Sequence, residues 1–353
     1  MAVTVSDRLL TVGRGRDREG LMPAIAGRDR DRQGSNPVAG RPGLVPITSR
    51  SCLNQGPKNG QQKLKLSIGK EEECVPCGER GLLSPTEDVI KAQKTIYCSD
   101  FPMCVAIHDN KEVYVSSYYH IDLMKDYGGF YHPMKIAGNE GHSGGQFDGI
   151  YGMSIKEDVL YVADHINCRI QKLTTSGKLL HQFGQRGSGQ GELDGPAAVI
   201  AGPENRLIVS NFNNHRVQIF NEDGGWLSTI DGNGGSGDSG FRKPWGLALD
   251  SQGNLHVAAY GSGCIKVFTL NGAYVREYGN LKKPLGLAIN TEGYTVVSEG
   301  DGNCLTIFDP QGNKIRKVEG LTDPWGVALG PRDGSVYVCN RMRQTVEIFV
   351  NVF

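Results

Sequence analysis

A six-residue segment recurs three times in the last part of the chain, at a step of forty residues. It reads Pro-Trp-Gly-Leu-Ala-Leu at 244–249, Pro-Leu-Gly-Leu-Ala-Ile at 284–289 and Pro-Trp-Gly-Val-Ala-Leu at 324–329. Each copy is followed by a Gly-containing turn, a short apolar alternation, a polar loop and a second alternation. Because a unit of four short strands cannot bury its own faces, it becomes stable only by stacking against its neighbours. The period therefore predicts an all-β ring of repeats.

Within one repeat the period-two alternation predicts four strands, a to d. In the copy that begins at Pro244 they are Trp245–Asp250, Leu255–Ala259, Cys264–Thr269 and Tyr274–Tyr278. Asn-Gly and Gln-Gly pairs lie at the turns, where tight hairpins need positive backbone angles. Aligning the remainder of the chain predicts a six-bladed β-propeller. Its blades open near Phe101, Asp148, Gly195, Lys243, Lys283 and Asp323.

The last repeat lacks its outer strand, because the sequence ends shortly after the strand-like segment 346–349. A strand-like segment at 94–98 precedes the first repeat. Since an unpaired sheet edge favours aggregation, we expect residues 92–99 to supply strand d of the sixth blade and close the ring. The propeller domain is then 91–353. With this closure we expect the propeller to be complete and the C-terminus to be native.

Residues 1–90 differ in composition from the repeats. Runs such as Arg-Asp-Arg-Asp-Arg at 28–32, with scattered Gly, Pro and Ser, contain too few large apolar groups to offset the cost of ordering the chain. We predict a disordered, low-complexity N-terminal segment.

Neither a secretory pattern nor a membrane-spanning stretch is evident, and the nine scattered cysteines fit free thiols in a reducing compartment. A cytoplasmic location is the expectation.

The chain carries 38 basic and 38 acidic side chains, and residues 91–353 are slightly acidic. A dedicated nucleic-acid binder usually has a strong basic excess, so DNA is not an expected partner.

Two segments carry a resemblance to a known family. Asn-Asn-His-Arg-Val-Gln-Ile-Phe at 213–220 and Asp-His-Ile-Asn-Cys-Arg-Ile-Gln at 164–171 resemble the hallmark of NHL repeats, Asp-x-x-Asn-x-Arg-Val-Gln-x-Phe. The resemblance extends over residues 92–353 and weakens in later blades, where Cys264, Cys304 and Thr345 replace the Arg. It implies a six-bladed interaction module similar to the C-terminal domain of tripartite-motif ubiquitin ligases, a family that recognises proteins or single-stranded RNA.

The zinc-binding domains of such a ligase are not evident. Residues 1–90 contain no histidine, and Cys74 and Cys77 have a metal-ligand spacing without the second ligand pair that a zinc site needs. We expect an unpaired thiol pair in a flexible segment, with a structural metal as the alternative. The resemblance implies the substrate-recognition part of a ubiquitin-ligase-type assembly, without ligase chemistry of its own.

The candidate site residues lie where b–c loops and d–a connections vary in length on one face. Residues at matched repeat positions are predicted to have scaffold roles. The Asp, Asn and Arg side chains tie adjacent blades, and the Trp side chains pack between blades or rim the channel rather than stack on bases. These are Asp164, Asn167, Arg169, Asn214, Trp245 and Trp325. Partner contacts are predicted mainly from Arg and Tyr, which are enriched among interface anchors. The candidates are Arg186, Arg216, Arg242, Lys243, Tyr260, Arg341 and Arg343; for Arg216 the scaffold role is favoured over a partner contact, and for the others a merely solvated face is open.

Three functions remain open from the sequence. The first is a non-catalytic recognition module for a protein partner, and the second is single-stranded RNA binding through the same face. The third is a metal-dependent enzyme similar to propeller lactonases and lyases. Asp164, Asn211, Glu299 and Asn340 offer oxygen ligands for a hard cation, but Ala259 interrupts their ring. No cofactor is expected.

Overall fold

Six antiparallel sheets of four strands follow one another along the chain. The computed structural model describes residues 90–109, 111–232 and 240–353. The prediction of an all-β, six-bladed propeller is confirmed. Apart from residue 90, the segment predicted to be disordered lies outside the described residues, as do Cys74 and Cys77.

The strands of the first three blades are given in the order a to d. Blade 1 contains β2 (Cys104–Ile107), β3 (Val113–Ser116), β4 (Ile121–Asp126) and β5 (Tyr131–Ala137). Blade 2 contains β6 (Ile150–Lys156), β7 (Val159–Asp164), β8 (Arg169–Thr174) and β9 (Leu179–Phe183). Blade 3 contains β10 (Pro196–Ala201), β11 (Leu207–Asn211), β12 (Arg216–Phe220) and β13 (Trp226–Ile230), with a 3-10 turn at Pro203–Asn205.

The later blades keep the same order. Blade 4 contains β14 (Pro244–Leu249), β15 (Leu255–Ala259), β16 (Cys264–Phe268) and β17 (Tyr274–Tyr278). Blade 5 contains β18 (Pro284–Ile289), β19 (Thr295–Glu299), β20 (Cys304–Phe308) and β21 (Lys314–Val318). Blade 6 contains β22 (Pro324–Leu329), β23 (Val336–Asn340) and β24 (Thr345–Phe349), with a 3-10 turn at Arg341–Arg343.

The fourth strand of blade 6 comes from the segment ahead of blade 1. Strand β1 (Lys94–Tyr97) pairs antiparallel with β24, placing Ile96 opposite Val346. Only Ile96 of this strand is buried. The sheet order β1-β24-β23-β22 thus joins the two ends of the propeller within one sheet.

Repeated side-chain contacts shape the turns on the face opposite the b–c loops. The carboxylate of Asp250 accepts hydrogen bonds from the backbone N–H groups of Gln252 and Asn254, at 3.0 and 2.8 Å. The amide oxygen of Asn290 does the same for residues 292 and 294. Asp and Asn favour such turns because their short side chains reach the backbone two residues ahead.

The apolar core lies between blades rather than within them. One cluster joins Tyr114 and Leu123 of blade 1 to Leu160 and Val162 of blade 2, and similar clusters join the following pairs of blades. Burial of both sheet faces therefore requires the neighbouring repeats, as the sequence period predicts.

Close packing of strand a explains the Gly in the repeated six-residue segment. A Cβ atom on Gly286 would lie 2.4 Å from the backbone oxygen of Trp325 in the next blade, and one on Gly246 would lie 2.3 Å from that of Leu285. The hydroxyl of Ser298 donates a hydrogen bond to the same Trp325 oxygen at 2.5 Å. Glycine thus permits adjacent inner strands to approach around the channel.

Candidate recognition face

The loops at one end of the blades form a continuous candidate surface. In a meander of four antiparallel strands, the b–c loops and the d–a connections leave the sheet at the same end. We call this surface the loop face. Its b–c loops are residues 117–120, 165–168, 212–215, 260–263, 300–303 and 341–344.

Three aromatic rings meet at the centre of the loop face. Tyr151, Trp245 and Trp325 are the second residues of strand a in blades 2, 4 and 6. Tyr151 stacks on Trp245 with ring centroids 5.5 Å apart. Trp325 meets both rings edge-on, at 5.4 Å from Tyr151 and 5.3 Å from Trp245. The two Trp residues are only 4% and 8% exposed, so the rings pack on one another rather than face solvent. We call these three residues the aromatic plug.

Further rings from the b–c loops extend the plug. The imidazole of His165 stacks on Tyr151 at 4.1 Å, Phe212 meets Trp245 edge-on at 5.1 Å, and Tyr260 lies 5.8 Å from Trp245. Burial lowers the pKa of His165 to about 4, so the ring is neutral at pH 7. Its Nδ1 lies 3.2 Å from the backbone oxygen of Pro196, which requires Nδ1 to carry the proton.

Two lysines lie over rings of this cluster. The ammonium group of Lys243 is 5.3 Å from the ring centroid of Phe212, and that of Lys283 is 5.8 Å from Tyr260. Lys283 also pairs with Asp301 at 2.7 Å, and this hydrogen bond raises the pKa of Lys283. Sequence reasoning did not select Lys283, although it directly precedes strand a, as Lys243 does.

Arg341 belongs to the same arrangement. Its guanidinium lies 5.1 Å from the ring centroid of Trp325 and 5.6 Å from Phe101. Its Nη1 donates to the carboxylate of Asp323 at 2.8 Å, and the side chain is 15% exposed. Arg341 therefore supports the plug, and only a small part of it is available to a partner.

Other cations of the loop face point into solvent. Arg242 and Lys282 are exposed, and within the described residues neither side chain has a hydrogen-bonding or ionic partner. Burial, followed by the positive charges of Lys243 and Arg242, lowers the pKa of the neighbouring His215. We call Arg242, Lys243, Lys282 and Lys283 the basic sector. Arg343 is also half-exposed, at 3.7 Å from Glu347.

Two of the predicted contact residues bind the protein's own loops instead. Arg216 donates to the backbone oxygens of Ser188, Gly189 and Glu192, at 2.8, 2.5 and 3.2 Å. Arg186 pairs with Asp194 at 3.1 Å and donates to the backbone oxygen of residue 166. Arg216 in particular has its Nη donors occupied, so we leave it out of the proposed contact surface.

The scaffold candidates of blade 2 form a buried clamp on the loop that enters the blade. Arg169 donates through Nε to Asp164 at 2.9 Å, and through both Nη atoms to the backbone oxygens of residues 142, 143 and 146. Asn167 donates to Gly141 and Asp164, each at 2.9 Å. In blade 3 Asn214 makes the contact that Asn167 makes with Gly141: its side-chain amide donates to the backbone oxygen of Gly187 at 2.7 Å. Clamps of this kind explain why the hallmark residues recur in register.

The residues considered as cation ligands perform the same clamping role. Side-chain oxygens of Asp164, Asn211, Glu299 and Asn340 each accept a hydrogen bond from the backbone N–H two residues before strand a, at 2.9, 2.8, 2.6 and 2.8 Å. Within the residues that the structure describes, no three His, Cys, Asp or Glu side chains are grouped closely enough to hold a metal ion.

One buried histidine and one buried cysteine are held in structural surroundings. His256 is buried between the Tyr278 hydroxyl at 2.9 Å and Asp250 at 3.3 Å, and burial lowers its pKa. Burial raises the pKa of the Cys104 thiol to about 11, so it is protonated at pH 7. Among the described residues, no helix has the length and apolar character needed to cross a membrane.

Two curated proteins share short regions of sequence with this chain. The Drosophila melanogaster protein brain tumor is 25% identical over 138 residues, which is 38% of this chain and 13% of that protein. The Caenorhabditis elegans protein lin-41 is 40% identical over 57 residues, 16% of this chain and 5% of that protein. The matches thus cover a small fraction of either relative. No family model matches the chain.

Solved structures show the same class of fold at low sequence identity. The WD40 propeller of Doa1 aligns with a TM-score of 0.56 at 13% identity, covering 74% of this chain and 96% of that one. A streptogramin B lyase aligns with a TM-score of 0.54 at 14% identity, covering 72% and 96%. At such low sequence identities the likeness supports the propeller fold and nothing more specific.

The ring of six blades, with its central plug and looped face, defines a propeller binding module. The short matches to brain tumor and lin-41, together with the six-bladed fold, support an NHL-repeat propeller.

Proposed function

We propose that the loop face is a non-catalytic recognition surface for a protein partner. The observation that carries the proposal is the placement of the basic sector around the rings that extend the plug. Two cations there, Arg242 and Lys282, are exposed and have no partner among the described residues, while Lys243 and Lys283 lie against aromatic rings. Interfaces are commonly anchored by such aromatic and cationic groups.

A protein fits this surface better than single-stranded RNA does. Sequence-tolerant RNA binding depends on open aromatic faces on which bases stack. Here the plug rings cover one another, and cations lie over Phe212, Tyr260 and Trp325. The four cations of the basic sector keep RNA as the second candidate.

We further propose that the chain acts in the cytoplasm, as the substrate-recognition part of a ubiquitin-ligase-type assembly, which is the role that its resemblance to tripartite-motif ligases implies. In this proposal another component would supply ubiquitin transfer.

Charge reversal of the free cations tests the proposal without disturbing the fold. The full chain is immobilised as wild type, as Arg242→Glu with Lys282→Glu, and as a control with Lys178→Glu and Lys314→Glu. The control lysines are also exposed but lie at c–d turns of the opposite face. We expect the loop-face variant to lose captured proteins that the wild type and the control retain.

The same three proteins are titrated with labelled single-stranded RNA at several salt concentrations. Identical protein capture by all three contradicts the proposal. Tight, salt-dependent RNA binding that only the loop-face variant loses would assign the face to RNA instead.

A further inference from the structure

Blade 4 departs from the loop clamp that four other blades share. In blades 2, 3, 5 and 6 the last residue of strand b supplies a side-chain oxygen to the backbone N–H two residues before strand a. In blade 4 that last residue is Ala259, which has no such oxygen. The matching backbone donor is the N–H of Arg242, and no acceptor for it occurs among the described residues.

The clamp also collects donors from the b–c loop and strand c. In blade 2 the second oxygen of Asp164 accepts from Asn167 at 2.9 Å and from Gln171 at 3.2 Å. In blade 5 a carboxylate oxygen of Glu299 accepts from the hydroxyl of Thr306 at 2.5 Å. A carboxylate at this position is therefore surrounded by donors.

Those donors remain in blade 4 although the carboxylate is missing. Val162 pairs with Gln171 in blade 2 as Val257 pairs with Lys266 in blade 4, so Lys266 takes the place of Gln171. Ser262 takes the place of Asn167, since each follows strand b by three residues. The strand register thus directs a hydroxyl and an ammonium group toward the position that Asp164 fills in blade 2.

Neither the Ser262 hydroxyl nor the Lys266 ammonium group has its full set of hydrogen-bond acceptors. Among the described residues, the buried hydroxyl of Ser262 has no hydrogen-bond partner. Lys266 is 2% exposed; it donates to the backbone oxygen of Gly240 at 3.1 Å, and its nearest described carboxylate is that of Glu277 at 4.0 Å. A buried hydroxyl without an acceptor and a buried ammonium group with one close acceptor are costly, because each has given up hydration without full replacement.

We propose that blade 4 binds a carboxylate group at the position next to Ala259. The carboxylate accepts hydrogen bonds from the Arg242 N–H, the Ser262 hydroxyl and the Lys266 ammonium, replacing the side-chain carboxylate that blade 2 carries internally. Its source is either a small free carboxylate or an acidic side chain of a partner. The site stands independently of the proposed function, because its argument rests on the clamp rather than on the outer surface.

Thermal unfolding of the full chain tests the site with acetate, a small free carboxylate. Melting curves are recorded in sodium acetate, in sodium chloride of equal ionic strength and in acetamide. We expect acetate alone to raise Tm, by about 2–4 °C near saturation. The same measurement is made with a short capped peptide that contains one aspartate. A rise in Tm with the peptide shows that an acidic side chain of a partner can reach the site. A rise with acetate alone shows that the site takes a small free carboxylate.

Variants assign the response to blade 4. Ala259→Asp supplies the carboxylate internally, so it should raise Tm in chloride and abolish the acetate response. Lys266→Met should abolish the response by removing the cation. The reciprocal change Asp164→Ala should create a second acetate-sensitive site in blade 2; if that variant does not fold, the first two decide the outcome. No acetate effect on the wild type, or an equal effect on Ala259→Asp, would overturn the proposal.

Discussion

Trp245 and Trp325 hold the same repeat position in blades 4 and 6, and their rings meet edge-on across the channel with centroids 5.3 Å apart. Because this contact joins two blades that are not neighbours, we expect the stability of the ring to depend on these central residues. Because three blades contribute to the plug, the loss of one ring leaves a space that its neighbours cannot fill.

Removal of one plug ring should destabilise the whole propeller. Trp325→Ala is expected to lower the free energy of unfolding by about 3–5 kcal/mol, the usual cost of deleting a buried aromatic side chain. Chemical denaturation followed by circular dichroism measures the change. Leu227→Ala, at an exposed apolar residue of strand d, is the control and should change stability by less than about 1 kcal/mol. Equal effects would show that the plug is not a structural element.

A methyl group on the inner strand should force two blades apart. Gly286→Ala places its Cβ against the Trp325 backbone oxygen, and we expect a loss of about 1–3 kcal/mol from overpacking. Gly202→Ala is the matched control, since the atom nearest to its Cβ would be the flexible end of Ile208, at 3.1 Å, and the backbone oxygen of residue 206 would lie at an ordinary contact distance of 3.6 Å. A stable Gly286→Ala protein would contradict the packing described for strand a.

The buried ion pair of blade 2 should be costly to break. Arg169→Met leaves Asp164 buried without its cation, and we expect a loss of about 3–5 kcal/mol in the free energy of unfolding. Arg343→Met removes a half-exposed arginine and should change stability by less than about 1 kcal/mol. The comparison fails if both substitutions have the same effect.

Closure of the ring should depend on one side chain of β1. Ile96→Ala is expected to cost about 2–5 kcal/mol, because Ile96 is fully buried against the last blade. Tyr97→Ala, next to it but 74% exposed, should have little effect. Native-state hydrogen exchange should show faster exchange of β24 in the Ile96 variant only. Unchanged protection of β24 would mean that β1 does not secure the seam.

Acidification should destabilise the protein partly through His165. Burial lowers the pKa of His165 to about 4, so the folded state binds its proton less readily than the unfolded chain, whose histidine titrates near 6.5. The difference between the two pKa values contributes about 3 kcal/mol to the free energy of unfolding. This contribution is fully present above pH 6.5 and is lost as the pH falls toward 4. His165→Phe should reduce the fall in Tm between pH 7 and 5. Since burial also lowers the pKa of His256, only the difference from wild type is diagnostic.

Much of the fold was predictable because each repeat encodes its own strands and turns. Strands b and d of blade 4 lie where the alternation predicted them, and strand a begins and ends one residue earlier. The plug was not predictable: Trp245 and Trp325 align by repeat position, but Tyr151 joins them only through the radius of the closed ring. The inward direction of Arg216 likewise depends on the carbonyl groups of a neighbouring loop. The lack of a side-chain oxygen at Ala259 follows from the sequence, whereas the donors that surround this position become apparent only when the blades are compared contact by contact.

Hydrogen exchange on the propeller, with and without its captured partner, shows whether the loop face is the binding surface. We expect slower exchange in the b–c loops 260–263 and 300–303 and in residues 240–243, with unchanged exchange in the c–d turns of the opposite face. Protection confined to those turns, with the loop face unaffected, would show that the partner binds elsewhere.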